Sequence, residues 1–188
     1  KDKVNKLRLG KNNLYVASKS GETWVDIKPL PFNSKEYSLS NPSISRDGKT
    51  LYFSSNMPGS LGGVDIWKVT VNADNTYSAP VNLGPKVNTE GNESFPFIAD
   101  DNNTLYFASN GKQGLGGYDV YQIDLAKATD AVNLGKPVNT EKDDFAFTFN
   151  KAKNLGFLSS NRNGNDDIFS ATPLCAVDLL VVVTNAKT

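Results

Sequence analysis

Three aspartates recur at one point of a repeated pattern. Asp65 stands in Gly62-Gly-Val-Asp-Ile66, Asp119 in Gly116-Gly-Tyr-Asp-Val120 and Asp167 in Asp166-Asp-Ile168. Carboxylates beside a Gly-rich loop could hold a cation or move a proton. Either task needs several of them to converge on one point. One aspartate per repeat keeps them apart, so the pattern favours a structural task. Each carboxylate would accept hydrogen bonds from N–H groups of the loop before it. The Gly-Gly pairs at 62–63 and 116–117 are not phosphate loops, since no Lys-Ser or Lys-Thr follows and no helix begins there. Asn161-Arg-Asn-Gly-Asn-Asp-Asp167 is rich in oxygen donors. It lacks the spacing and closing Glu of an EF-hand loop, so it reads as an Asn-Gly loop. Gly21-Glu-Thr-Trp24 matches only the second half of a sialidase Asp-box, with Ala17 and Lys19 where its Ser and Asp belong. There is no histidine, and the single cysteine is Cys175. The commonest general base and zinc ligand is therefore missing, and no nucleophile–base–orienter set can be drawn. The expectation is a chain with no catalytic residues, no cofactor and no required metal.

The aspartates sit inside a larger repeat. Thr50-Leu-Tyr-Phe-Ser-Ser-Asn56 returns as Thr104-Leu-Tyr-Phe-Ala-Ser-Asn110 and again as Asn154-Leu-Gly-Phe-Leu-Ser-Ser-Asn161. Leu51, Leu105 and Leu155 stand 54 and 50 residues apart. A period near 50 marks a unit that buries its apolar face only against other copies of itself. The alternation places Leu51, Phe53, Leu105, Phe107, Leu155 and Phe157 at equivalent core positions of second strands.

The chain reads as short strands joined by turns, with no sustained helical period. Asn13–Ala17 and Thr23–Leu30 match the third and fourth strands of the repeat, so the chain is expected to begin in mid-repeat. In the first full unit the strands are Pro42–Ser45, Thr50–Ser55, Val64–Val71 and Thr76–Leu83. Asp47-Gly48 supplies the first hairpin turn. The second unit has Phe95–Ala99, Thr104–Ser109, Tyr118–Leu125 and Ala131–Leu134. The third has Phe145–Phe149, Leu155–Ser160 and Asp167–Ser170. Asp124–Thr129 reads as a hairpin turn. Four antiparallel strands per repeat describe the blade of a β-propeller, an all-β fold. Residues 1–173 form this propeller segment, with two complete and two partial blades, expected to belong to a larger ring. Residues 174–188 read as a linker and the first strand of a following β-sandwich, or else as a strand pairing with the last blade.

Leu30-Pro-Phe-Asn-Ser34, Asp47-Gly-Lys-Thr-Leu-Tyr-Phe53, Met57-Pro-Gly59 and Gly62-Gly-Val-Asp-Ile66 carry a family resemblance. They resemble the WD-repeat-like, TolB-type blades of large OmpA-family envelope proteins of Bacteroidota. In that family the propeller lies between tetratricopeptide repeats and a carboxypeptidase-regulatory-like sandwich, with an OmpA-type domain beyond. The resemblance covers about residues 24–170 and, weakly, the tail 177–188. It implies a periplasmic location at the outer membrane and a non-catalytic role in type IX secretion or gliding assemblies. Peptidoglycan would be met only through a domain absent from this chain.

Bulk composition agrees with a scaffold. Lys plus Arg balance Asp plus Glu at 20 each, so no basic excess points to nucleic acid. The longest apolar run, Leu179–Val183, is too short to span a bilayer. The connectors Val87-Asn-Thr-Glu90 and Val138-Asn-Thr-Glu141 recur on one expected face. They place Glu90, Glu93, Glu141, Asp143 and Asp144 on one rim. That rim would carry a negative field for a partner among envelope or secretion proteins, or would simply be solvated. The rival readings are a hydrolase-associated propeller and a carbohydrate-binding one.

Overall fold

The computed structural model describes residues 10–127 and 129–173. The stretch 174–188, where a second domain was expected, lies outside the described residues. A hairpin of β1 (Tyr15–Ser20) and β2 (Thr23–Pro29) comes first. A four-stranded sheet follows: β3 (Leu39–Ile44), β4 (Thr50–Ser55), β5 (Asp65–Thr70) and β6 (Val81–Asn82). The next is β7 (Glu93–Ile98), β8 (Thr104–Ser109), β9 (Asp119–Asp124) and β10 (Val132–Asn133). The last has three strands, β11 (Asp144–Asn150), β12 (Leu155–Ser160) and β13 (Asp167–Ala171). Each sheet is an antiparallel meander, and first and last sheets do not pair. The described blades thus form an open arc.

Period-two alternation makes the arc. On β4, Leu51 and Phe53 point back towards the β1–β2 hairpin, where they join Leu14, Leu30, Trp67 and Val69. Phe32 stacks on Phe53 at 5.2 Å. Tyr52, between them, points forward into a second cluster with Ile98, Leu105 and Phe107 of the next blade. Tyr106 repeats the move, meeting Phe147 at 5.0 Å. A second strand therefore serves two cores at once, one on each face.

The third blade corrects the sequence alignment. Ser160 pairs with Asp144 as Ser109 pairs with Glu93, so the copies align at their Ser-Asn ends. That shifts the third copy by one residue. Leu158, not Phe157, is the buried partner of Phe107's position, and Phe157 is 46% exposed. A one-residue slip moves every side chain to the other face. The fourth strands are also shorter than expected. Between Val71 and β6 the ladder is reduced to a bridge from Val71 to Tyr77 and a bond from Ser78 N–H to Thr70 O at 3.0 Å. Pro80 has no N–H to continue a ladder.

First strands begin earlier than expected because each contains a bulge. Pairing runs from Ser40 opposite Ser54 to Ser43 opposite Tyr52, which leaves one residue extra on β3. The same shift falls between Ser94 and Phe97, and between Phe145 and Thr148.

Turns between first and second strands are held by carboxylates. Ser45 Oγ donates to Asp47 Oδ1 at 2.6 Å, and Lys49 N–H donates to the same oxygen at 3.0 Å. The Ser45 hydroxyl, then the Lys49 N–H, hold the Asp47 carboxyl below its ordinary value. At Asp101, burial pushes the carboxyl up, but bonds from Thr104 and Asn103 carry it further down.

Two predictions follow from this packing. Phe107 is 1% exposed. Phe107→Ala should lower stability by about 3–5 kcal/mol; an unchanged urea midpoint would contradict the blade packing. Carboxyls depressed in the folded state stabilise it above their unfolded value, and that share is lost as pH falls through the folded one. The melting temperature should therefore drop below about pH 4. Asp47→Asn combined with Asp101→Asn should flatten that drop, and an identical acid slope would reject the assignment.

Candidate interaction surface

Asp65 and Asp119 are fully buried, on neighbouring blades. The N–H of Leu61 donates to Asp65 Oδ2 at 2.7 Å, and Asn82 Nδ2 donates to the same oxygen at 2.6 Å. Asp119 Oδ2 accepts from the N–H groups of Leu115 and Gly116. Both carboxylates hold the loop that precedes them. Asp167 departs from the expectation. It is exposed, and no hydrogen bond ties it to its loop among the described residues. Its loop, residues 161–166, is shorter than 56–64 or 110–118. Among the described residues, no three cysteines or carboxylates gather in a metal-sized group.

The connectors are anchored by buried asparagines. Asn88 Oδ1 accepts from Ile66 N–H at 2.8 Å, while its Nδ2 donates to Ile66 O at 2.9 Å and to Asn82 Oδ1 at 2.8 Å. Asn139 makes the same three bonds to Val120 and Asn133. Asn33 clasps Leu14 in the same way, at 2.9 and 2.7 Å. A carboxamide here replaces the peptide group of an absent strand. The connector then crosses the Gly-Gly pair closely enough that a Cβ on Gly62 or Gly116 would strike its backbone. This close approach explains both pairs.

The same geometry removes most of the expected acidic rim. Glu93 and Asp144 are fully buried, not exposed. Glu93 accepts from Thr89 N–H and Oγ1 at 2.7 Å and from Ser109 Oγ at 2.6 Å. Lys112 lies near it; burial lowers that ammonium's pKa and the Glu93 charge opposes the shift. Asp144 accepts from Thr140 N–H at 2.6 Å and from Arg162 Nη2 at 2.6 Å. Arg162 also donates to Val138 O at 2.7 Å and covers the Phe169 ring at 4.6 Å. Asp143 is half-buried and accepts from Tyr118 N–H at 2.8 Å. Glu141 is exposed, but Lys136 bonds it at 2.7 Å and holds its carboxyl below the ordinary value. Only Glu90 is exposed without such a bridge. Three of the five carboxylates hold the connectors in place, which leaves Glu90 and Glu141 as the exposed ones.

A different surface emerges at the first strands. These strands approach one another across the inside of the arc. Asn41, Phe95 and Ala146 occupy the extra position of the three bulges, with φ of 50°, 55° and 52°. Left-handed backbone at a non-glycine residue is strained by about 1–3 kcal/mol, and a following proline disfavours compact backbone further. Pro42 and Pro96 follow two of the three. The bulges line a cleft of about 180 Å³ with Pro42, Pro96, Phe97 and Phe147. Phe95 and Phe145 sit beside it with ring centroids 5.0 Å apart. No ionisable side chain lines this cleft, so it can bind but cannot move a proton. The sequence reading missed it. The signal was present as Asn41-Pro42 and Phe95-Pro96 at one point of two first strands, where a ladder would exclude proline.

No family model matches the chain, and no curated protein matches it. Solved structures do. One is a putative TolB from Agrobacterium tumefaciens, with TM-score 0.56 and 15% identity over 82% of this chain and 48% of that one. Another is TolB from Acinetobacter baumannii, with TM-score 0.57 and 14% identity over 86% and 37%. The fold is that of TolB-type β-propeller blades. This chain spans less than half the length of either TolB structure. The propeller likeness extends to prolyl oligopeptidase B from Galerina marginata, with TM-score 0.52 and 18% identity over 78% of this chain and 20% of that one. Among the described residues, no helix is long and apolar enough to cross a membrane.

The buried Asp144–Arg162 pair yields a prediction. Arg162→Ala strands a fully buried carboxylate and should lower stability by about 3–5 kcal/mol. The equivalent site in the first full blade is apolar, filled by Leu39 and Met57. Asp144→Leu with Arg162→Met should therefore recover most of the loss in urea unfolding. A single variant as stable as the parent would show that the pair holds nothing.

Proposed function

We propose that the chain is a non-catalytic protein-interaction module of the bacterial cell envelope, acting in the periplasm at the outer membrane. In its finer form, it is the propeller of a peptidoglycan-anchoring OmpA-family protein linked to type IX secretion or gliding. Its contact with peptidoglycan would run through another domain. The observation that carries the reading is the first-strand cleft. Three bulges at one level hold strained backbone, proline and phenylalanine around a surface without any titratable group. Strain at the same point of all three described first strands supports a surface kept for binding. An aromatic and proline floor suits an extended segment of a partner protein. Likeness to TolB blades supports an envelope setting, and the sequence resemblance supports the Bacteroidota architecture.

The likeness to prolyl oligopeptidase B favours a second reading, a propeller that accompanies a hydrolase. The two are separated by placing a photo-crosslinking phenylalanine analogue at position 95 in the periplasm of the native host. Crosslinks to other envelope proteins, lost when Phe97→Asp is added, are expected. Crosslinks confined to a hydrolase domain of the same polypeptide would establish the second reading. No crosslink at all would reject the cleft as the contact surface.

A further inference from the structure

The first-strand cleft takes the same three positions from each strand: 41–43 of β3, 95–97 of β7 and 146–148 of β11. It is built wholly within these three sheets. Its size limits what can enter. A cavity of about 150 Å³ takes up benzene. The cleft, at about 180 Å³, therefore holds one ring-sized side chain and not a folded element. Its electrostatics limit the occupant further. A charge that entered a lining without ionisable groups would lose its hydration and gain no counter-ion. Charge complementarity thus calls for an uncharged segment.

Three of the lining side chains carry polar atoms: Asn41, Ser43 and Thr148. Two of them are used within the fold. Ser43 Oγ accepts from Ile98 N–H at 3.0 Å, and Thr148 Oγ1 donates to Phe157 O at 3.5 Å. The half-buried Asn41 carboxamide has no hydrogen bond among the described residues. Its equivalents at the other bulges, Phe95 and Ala146, are apolar. One unused carboxamide therefore stands in an otherwise apolar lining. A sugar ring, with a hydroxyl on most carbons, would need several such groups. A peptide unit needs only this one. Asn88 shows the pairing elsewhere in the fold: its Oδ1 accepts from Ile66 N–H while its Nδ2 donates to Ile66 O.

We propose, resting on the reading of this cleft as the contact surface, that Asn41 decides what the cleft accepts. Its carboxamide clasps the N–H and C=O of one residue in an extended, uncharged segment of a partner protein. One apolar side chain of that segment fills the cleft. The clasp fixes the register of the segment, and the side chain supplies the buried area. Proline is excluded at the clasped position, since it has no N–H to give.

The test titrates the whole chain with the capped tripeptide acetyl-Val-Phe-Val-amide and with three analogues, each with an ester oxygen in place of one N–H. Binding is read from the amide NMR signals of Phe97 and Ala146. Both should shift saturably, and one ester should bind at least about threefold more weakly than the parent peptide. Asn41→Ala removes both bonds and should weaken the parent peptide by at least about tenfold. That variant should no longer distinguish the ester from the amide. Its fold is expected to hold, because Ala146 keeps the same left-handed backbone in the last sheet. Asn41→Gly, at ease with positive φ, is the second variant and should behave alike. No shift at tens of millimolar peptide would remove the cleft as a contact surface, and the clasp with it. Equal affinity for the parent and both Asn41 variants would keep the cleft and overturn the clasp. An ester penalty that persists in Asn41→Ala would also overturn it, by placing the partner's N–H against another group.

Discussion

A carboxamide, buried at Asn88 and Asn139 and half-buried at Asn33, holds each blade to the next. Asn33, Asn88 and Asn139 each present an acceptor and a donor to one residue of a third strand. They give it the two bonds that a neighbouring strand would have given. This matters because β6 and β10 are only two residues long. So short a ladder cannot fix the path of the chain that leaves it. The side chain does so instead, and in a buried setting an unpaired peptide group is costly. Once the connector is clamped, Thr89 and Thr140 are in place to bond the carboxylates that start the next first strands. Residues 91 and 142 then lie across the Gly-Gly pairs. The position of every first strand, and of the cleft they share, is set by the asparagine one connector earlier.

Much of the fold was legible because the repeat displays its own register. The alternation in Leu51-Tyr52-Phe53 gave both faces of the second strand. The match of Asn13–Ala17 and Thr23–Leu30 to third and fourth strands placed the first hairpin correctly, since Leu30 N–H bonds Leu14 O as Leu83 N–H bonds Ile66 O. Misalignment arose where the third copy carries Leu-Gly-Phe-Leu in place of Leu-Tyr-Phe. Two frames fit that string equally well by composition. The strand pairing chooses the one ending in Ser-Asn, because Ser160 and Asn161 have fixed partners. Ser160 Oγ accepts from Arg162 N–H, and Asn161 Oδ1 accepts from Asp143 N–H. Those bonds are invisible in hydropathy.

Three residues of the expected acidic rim lie inside the fold for a related reason. Glu93, Asp143 and Asp144 look solvated when counted as charges in a polar connector. Sequence alone does not reveal that a threonine four residues earlier folds its N–H and hydroxyl onto a carboxylate. Burial of such a carboxylate is tolerable when every lone pair has a donor. The aspartates were easier, since Asp65 and Asp119 each follow a loop whose N–H groups need acceptors. The cleft was harder, because its signal is proline where a strand should exclude it. That reads as noise until three bulges are seen at one level.

Repeats that resemble one another this closely face a hazard during folding: a connector can dock into the wrong interface. The three starting points of first strands differ in a way that guards against it. Leu39 meets Met57 in an apolar site, Glu93 lies near Lys112, and Asp144 grips Arg162. A charged connector docked at the apolar site would bury a carboxylate against a thioether. An apolar one docked at the last site would take from the half-buried Arg162 guanidinium its carboxylate partner. Nearly identical backbones thus carry distinct addresses, and the order of blades around the arc is written in the chemistry of one residue pair per joint.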